Sequence, residues 1–289
     1  MSGGVTVVIA TRNRRPELTR TLGKLHELTP PPPVVVVDNG SSDGTAQAVR
    51  EEFREVTVLA LRRNHGAPAR NLGVLATRTP YIAFSDDDSW WAPGALQRAT
   101  QVLDAHPRLG LVAARTLVGP DQRPDPLNPV LAASPLLRSP DSPGPSVLGF
   151  LACSAVLRKR AFCAVGGFSK LLFFVGEERL LSYDLAAAGW NLAYLQDVVA
   201  YHHPSTHRPD RGHRQVAEQR NALLTAVLRR PLRVAVATGA VLARKSVHDV
   251  GARRALGGAL IRLPTALRGR VVLPPAVEEQ IRLLEDAQR

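Results

Sequence analysis

Tyr81-Ile82-Ala83-Phe84-Ser85-Asp86-Asp87-Asp88 is an apolar, strand-forming stretch that ends in three consecutive carboxylates. Apolar residues at successive positions mark a strand buried on both faces, the habit of parallel strands covered by helices on each side. In open α/β sheets, ligands bind at the carboxyl ends of such strands. Adjacent carboxylates repel one another, so a neutralising cation is their natural partner, and hard oxygen donors suit Mg²⁺ or Mn²⁺. The same residues also fit a solvated loop whose Asp side chains cap a helix starting near Pro93.

Outward from this stretch the pattern repeats. Val5 to Ala10, Val34 to Val37 and Val56 to Leu61 are further β-branched runs, separated by segments at helical spacing, Pro16 to Leu28 and Thr45 to Phe53. All of these strands are expected to be buried between helices, in a mostly parallel α/β sheet with helices on both faces. Leu109 to Ala114 adds a strand after a helix from Pro93 to Ala105. Val34 to Val37 runs into Asp38-Asn39-Gly40-Ser41-Ser42-Asp43-Gly44-Thr45, and Thr11-Arg12-Asn13-Arg14-Arg15 follows the first strand. Asn64-His65-Gly66-Ala67-Pro68-Ala69-Arg70-Asn71-Leu72-Gly73 opens another helix. Four strand-to-helix turns thus send polar groups to one sheet edge. Residues 119–146 carry eight prolines and are expected to form a long loop over the sheet, too irregular for a packed element. Cys153 to Leu157 then reads as a strand, Gly166-Gly167-Phe168 as a turn, Glu178 to Ala188 as a helix stopped by Gly189, and Leu192 to Tyr201 as strand and loop.

With 289 residues, 45% of them hydrophobic, the chain is long enough to bury a real core. No apolar run reaches the roughly 18 residues that span a bilayer, which excludes a transmembrane protein. Val5 to Ala10 follows the N-terminus with no basic leader, so a cytoplasmic chain is expected. Cys153 and Cys163 are too few for a disulfide scaffold or a four-thiolate zinc site and are read as small core residues. The net charge of +12 is concentrated: residues 203–270 hold 14 Lys and Arg against 3 Asp and Glu. Such a segment suits anionic lipid headgroups, nucleic acid or a phosphorylated small molecule. Within it Leu256, Leu260, Leu263 and Leu267 fall near helical spacing among Arg253, Arg254, Arg262, Arg268 and Arg270, with Pro264 expected to interrupt the helix. These leucines face either a membrane surface or a protein packing or dimer surface.

Seven segments together, VTVVIATRNRR (5–15), VVVVDNGSSDGT (34–45), NHGAPARNLG (64–73), YIAFSDDD (81–88), RKRAFCAVGGF (158–168), VGEERLLSYDLAAAGW (175–190) and VVAYHHPS (198–205), resemble the nucleotide-sugar-dependent glycosyltransferases of family 2. The resemblance covers residues 5 to about 221. It implies a GT-A (Rossmann-like) fold, with a transferase domain over 1–221, divided into a nucleotide-binding half (1–115) and an acceptor and catalytic half (116–221). Residues 222–289 form a basic helical extension. It further implies that the Thr11-Arg12-Asn13 turn and Asp38 hold the base and ribose of the nucleotide, and that Arg70 and Asn71 line the donor site. Asp86 and Asp88 fall on the outer positions of the family's DxD motif, Asp88 holding a divalent cation, with Asp87 also counted at the donor site. His202 completes the metal site, with His203 the second choice.

The resemblance places the base that deprotonates the acceptor in the Glu177-Glu178 pair, at Glu178. The usual residue there is Asp, and Leu180 and Asp184 stand where the family carries an Asp and an Arg, so an intrahelical ion pair is missing. Arg208, Arg211 and Arg214 either clamp the diphosphate or form a basic solvated face, and Arg220-Asn221 matches a pair common in the family. Of Trp90 and Trp91, one is expected to stack on a sugar ring and the other to lie in the core. The expected activity is inverting, metal-dependent transfer of a sugar to an acceptor hydroxyl: saccharide, lipid-linked or natural product. The rivals are a sugar-phosphate nucleotidyltransferase, which this sequence disfavours because it lacks an N-terminal Gly-rich, Arg-containing loop, and a nonenzymatic membrane-surface or nucleic-acid adaptor, which would not need the carboxylates. Nucleic acid is not expected as a partner, whereas a peripheral membrane contact at the inner face or a homodimer is.

Overall fold

In the first half of the chain, strands β1 (Val5–Thr11), β2 (Val34–Asp38), β3 (Thr57–Ala60) and β4 (Tyr81–Ser85) alternate with helices α1 (Arg15–His26), α2 (Thr45–Glu52) and α3 (Ala69–Ala76). The computed structural model of the protein describes residues 4–139, 141–205 and 211–287. The four strands are parallel, and their registers, Thr11 beside Asp38 and Ile9 beside Ser85, bring the polar turns to one edge. Successive residues enter opposite cores: Val7 and Ile9 face one layer with Leu18 and Leu22 of α1, while Val8 faces the other with Val74 of α3. Two-faced burial is why these runs are continuously apolar. β3 departs from that expectation. It pairs only with β2, at the sheet edge, and Thr57 and Ala60 are exposed because no neighbour covers them.

The sheet continues through β5 (Ser89–Trp91), β6 (Leu109–Val118), β7 (Arg123–Pro124), β8 (Ala155–Arg158) and β9 (Asn191–His202), in the order β3-β2-β1-β4-β8-β6-β9-β5 with β7 on β6. β8 runs antiparallel to β4 and β6, whereas β6 and β9 are parallel, giving a mixed sheet. Helix α4 (Ala95–Ala105) covers one face, and α5 (Leu127–Ala132), α6 (Lys159–Ala164) and α7 (Glu177–Ala187) cover the other. The proline-rich segment is therefore not wholly irregular. α5 seats Leu131 in the core, since prolines at 126 and 129 sit where a helix tolerates them, at its first turn. Cys163 is exposed, because α6 turns Ala161 and Phe162 inward instead; Cys153 is buried as expected.

Helices α8 (Arg211–Arg229), α9 (Leu232–Ser246), α10 (Val250–Arg268) and α11 (Pro275–Ala287) complete the chain. α8 runs unbroken through residue 221. Leu223, Leu224 and Val227 of α8 share a core with Leu180 of α7, Leu242 of α9 and Ala252, Ala255 and Ala259 of α10. The two departures noted in α7 are explained here: Leu180 enters this core, and Asp184 accepts both guanidinium arms of Arg229. α11 packs Val277 and Ile281 against Tyr183, and Arg230, just past the end of α8, ties it down through Glu278 at 2.7 Å and Glu285 at 2.7 Å. α10 passes through Pro264 without ending. The carbonyl deprived of its donor belongs to Leu260, on the solvent side.

Candidate active site

β4 delivers its three carboxylates to three different partners. Asp86 pairs with Arg70 of α3. Asp87 turns inward: Thr11 donates to it at 2.9 Å and Arg14 Nε lies 2.9 Å from its other oxygen. Burial pushes its carboxyl up to about 7 against the pull of Arg14, with Asp88 and Asp86 adding to the rise. Asp88 accepts from Arg14 Nη2 at 2.8 Å and from the Ser205 backbone at 3.3 Å, and His202 Nε2 lies 3.3 Å from its Oδ1. That imidazole is placed by sheet register, since β5 and β9 pair Ser89 with His202. Although burial opposes ionisation of Asp88, His202, Arg14 and the Ser205 N–H hold its carboxyl below the usual value.

Ligand atoms of Asp86, Cys153 and His202 lie within 4.8 Å of one another. With Asp88 alongside, the cluster offers two carboxylates and an imidazole, a donor set that fits Mg²⁺ or Mn²⁺. Of the expected trio, His202 lies beside both acids, within 4.8 Å of Asp86 and 3.3 Å from Asp88, whereas Asp88 is not itself part of the Asp86 group. Burial, with Asp86, Asp88 and Glu178 nearby, pushes the Cys153 thiol well up, leaving it a neutral neighbour. His203, the second choice, has its ring against Trp90, 4.5 Å between centroids. Both tryptophans lie in the core, so neither is available to stack on a sugar: Trp91 is 0% exposed, and Trp90 is held between His203 and Tyr201.

Glu177 and Glu178 open α7 behind Gly176, whose φ of 84° makes it the natural residue for that turn. Glu177 is 3% exposed and its Oε2 is buried without a hydrogen-bond partner. Burial and the adjacent Glu178 push its carboxyl up to about 8. Glu178 is partly exposed, and burial raises its carboxyl too, against the backbone at Ala152 and the charge of Arg70. Arg70 is itself buried; Asp86, Glu177 and Glu178 more than offset the burial and keep it fully charged. One guanidinium therefore serves the strand-end acids and the helix-start acids together.

Other expected residues have more structural duties. Asn71 exchanges two hydrogen bonds with the Phe168 backbone, at 2.9 and 3.0 Å, and so clamps the Gly166-Gly167-Phe168 turn. Arg12 and Asn13 are exposed at the end of β1, where Asn13 ties the turn to Ser41 and Ser42. Asp38 is buried and accepts the Ser41 N–H at 2.9 Å. Arg214 pairs with Glu218 on the surface of α8; Arg208 and the side chain of Arg211 lie outside the described residues. Asn221 donates to carbonyls of the loop before α7. The residue that the sequence reading left without a role is Arg14, which spans Asp87 and Asp88. Its position in a strand-to-helix turn was the available signal, but Arg12, Arg14 and Arg15 are alike by type and only the fold separates them.

The same architecture is found in the mannosyltransferase PcManGT of Pyrobaculum calidifontis, solved with GDP-Man and Mn²⁺ (TM-score 0.62, 19% identity, covering 100% of this chain and 86% of that one). It is also found in residues 1–349 of TarS of S. aureus, solved with UDP-GlcNAc (TM-score 0.59, 16% identity, 96% and 91%). The likeness is one of fold, the GT-A fold. Residues 6–166, more than half of the chain, match Glycosyl transferase family 2, and the protein belongs to that family. In sequence it is 28% identical over 251 residues to the N-acetylglucosaminyl-diphospho-decaprenol L-rhamnosyltransferase of Mycobacterium tuberculosis, a match covering 74% of this chain and 81% of that protein. Membership removes the nucleotidyltransferase and adaptor readings. Among the described residues no helix is long and apolar enough to cross a membrane.

Proposed function

We propose that the protein transfers a sugar, with inversion and in a metal-dependent manner, from a nucleoside-diphosphate sugar to a hydroxyl of a saccharide carried on a lipid diphosphate. The observation that carries this reading is the placing of the strand-end acids, Asp86 beside Arg70 and Asp88 beside His202, with Glu177 and Glu178 at the start of α7 near enough for their charge to act on Arg70. Glu178, the more exposed of the pair, takes the acceptor proton; its raised carboxyl brings it toward the neutral range in which a general base is effective. Glu177 lies deeper and supports it. Attack from the face opposite the departing diphosphate inverts the anomeric centre and needs no covalent intermediate. Asp88 and His202, with Asp86 in reach, would hold a divalent cation, which when bound would supply charge that stabilises the leaving diphosphate. Arg14 and the Ser205 N–H orient Asp88 for that duty. Arg12, Asn13 and Asp38 stand at the strand ends for the base and ribose. Residues 1–221 form the transferase domain in this reading and 222–289 its basic extension.

The lipid-linked acceptor is suggested by the mycobacterial relative, whose name gives a decaprenol diphosphate acceptor and L-rhamnose transfer. A panel of nucleoside-diphosphate sugars, led by activated L-rhamnose, tests the proposal against a polyprenyl-diphosphate N-acetylglucosamine acceptor. Diphosphate release should require Mn²⁺ or Mg²⁺, stop with EDTA, and give a product of inverted configuration by NMR. Retained configuration, or full activity in EDTA, refutes the mechanism.

A further inference from the structure

We infer that the outer face of α9 and α10 docks on an anionic lipid bilayer. α9 carries two apolar faces. Ala235 and Leu242 point into the core shared with α8 and α10, while Leu232 and Val236, and Val247 just past the end of the helix, follow a neighbouring stripe and are 68%, 61% and 64% exposed. α10 does the same: Ala252, Ala255 and Ala259 are buried, and Leu260, Ile261 (80% exposed) and Leu267 face solvent. Large apolar side chains concentrated on two adjoining helices signal an interaction surface.

Charge says what covers it. Residues 222–277 hold ten Lys and Arg and one acid, Asp249; of the ten, Arg229 and Arg230 are engaged inside the fold with Asp184, Glu278 and Glu285. The Asp249 carboxylate is engaged as the cap of α10, accepting the Gly251 N–H at 2.6 Å. Arg233, Arg244, Arg253, Arg254 and Arg268 are exposed among the apolar residues, not segregated from them. A second copy of the chain would set this positive face against itself, because a two-fold interface uses the same patch twice. Nucleic acid would satisfy the arginines and leave the leucines in water. An anionic bilayer takes both: apolar side chains enter the headgroup boundary, and arginine stems lie along them with their guanidinium groups among the phosphates. This extends the lipid-linked acceptor reading, but the test below needs no turnover, so either can fail without the other.

The full chain is sedimented with vesicles of phosphatidylcholine alone and of phosphatidylcholine with 30% phosphatidylglycerol, an anionic fraction of about one lipid in three, at low and high salt. Binding is expected to the anionic vesicles, weakened by salt. L232E/I261E should lower the affinity about 10²-fold, and R253E/R254E about tenfold or more, with melting temperatures unchanged because all four side chains are exposed. No cosedimentation with anionic vesicles at low salt, equal binding to phosphatidylcholine alone, or unchanged binding by L232E/I261E would overturn the inference. So would a dimer by sedimentation velocity that L232E/I261E dissociates, which would make the face a contact between copies.

Discussion

Replacing Asn221 should disable the transferase without touching its donor site. Asn221 is 1% exposed in α8, and its Nδ2 faces the carbonyls of Leu172, Phe174 and Val175 at 3.0, 2.8 and 2.6 Å. Arg220 Nε donates to its Oδ1 at 2.9 Å, which fixes the way the amide points. The loop held in this way is costly: Phe173, Val175 and Gly176 have φ of 66°, 70° and 84°. A left-handed backbone costs a non-glycine residue about 1–2 kcal/mol, and a β-branched residue there is an outlier sustained only by its surroundings. On its far side the loop is pinned by the Ala67 N–H to Phe173 O at 2.7 Å, at a place where a side chain on Gly66 would strike Phe173. An amide has two hydrogens, so about two good bonds serve the three carbonyls at any moment. Their loss in Asn221→Ala costs about 2–4 kcal/mol, or about 4–8 °C of melting temperature for a chain of this size. Asn221→Asp keeps the volume but turns an anion toward three carbonyl oxygens, so it should be worse than Ala. Because the loop leads straight into Glu177 and Glu178, kcat should fall about tenfold or more while nucleoside-diphosphate affinity, measured by calorimetry, stays within about twofold. An Asp variant as stable as the wild type, or an Ala variant with unchanged kcat, would refute the reasoning.

Glu178→Gln should lower kcat by about 10²- to 10⁴-fold with donor affinity kept, and Glu177→Gln by less; the reverse order would exchange their roles. Since Glu178 must be ionised to act and burial raises its carboxyl, kcat/KM should fall as pH drops through a value above the ordinary carboxylate range, and a profile that falls only within that ordinary range would count against it. Glu177 has its folded carboxyl raised from 4.5 to about 8, so the native state retains a proton the unfolded chain has lost, and stability falls as pH rises between those values. Glu177→Gln removes that loss: it should match the wild type near pH 4.5 and exceed it by about 2–4 kcal/mol at pH 8.5 in urea unfolding, whereas a pH-independent difference would show that the group is not shifted. Asp88→Asn should abolish Mn²⁺-dependent nucleoside-diphosphate binding in calorimetry, while Asp87→Asn should retain it and melt lower by releasing Arg14 and Thr11; equal losses of binding would mean that both oxygens serve the cation.

Burial on both faces of a parallel strand leaves a local signature, so Val5 to Ala10, Val34 to Val37 and Tyr81 to Ser85 could be read as strands from the chain alone, and the polar turns that follow them as one edge. Glu177 and Glu178 at a helix start were equally legible, because carboxylates favour that end of the dipole. Legibility stopped where partners come from far away. Asp86, Asp87 and Asp88 are identical in type, and their division between Arg70, Thr11 with Arg14, and His202 was decided by strands that meet only in the sheet. Leu180 and Asp184 read as a lost ion pair, yet they receive the core of α8 to α10 and Arg229. The leucines of α10 obey one helical period, and the sequence showed only that the helix has two sides. Which side is inward depends on where α8 and α9 lie: Leu256 and Leu263 pack against the core, Leu260 and Leu267 do not. Periodicity is a property of neighbours along the chain, whereas a contact depends on chain ends brought together from a distance; the first was written in the sequence, and the second only the tertiary structure decided.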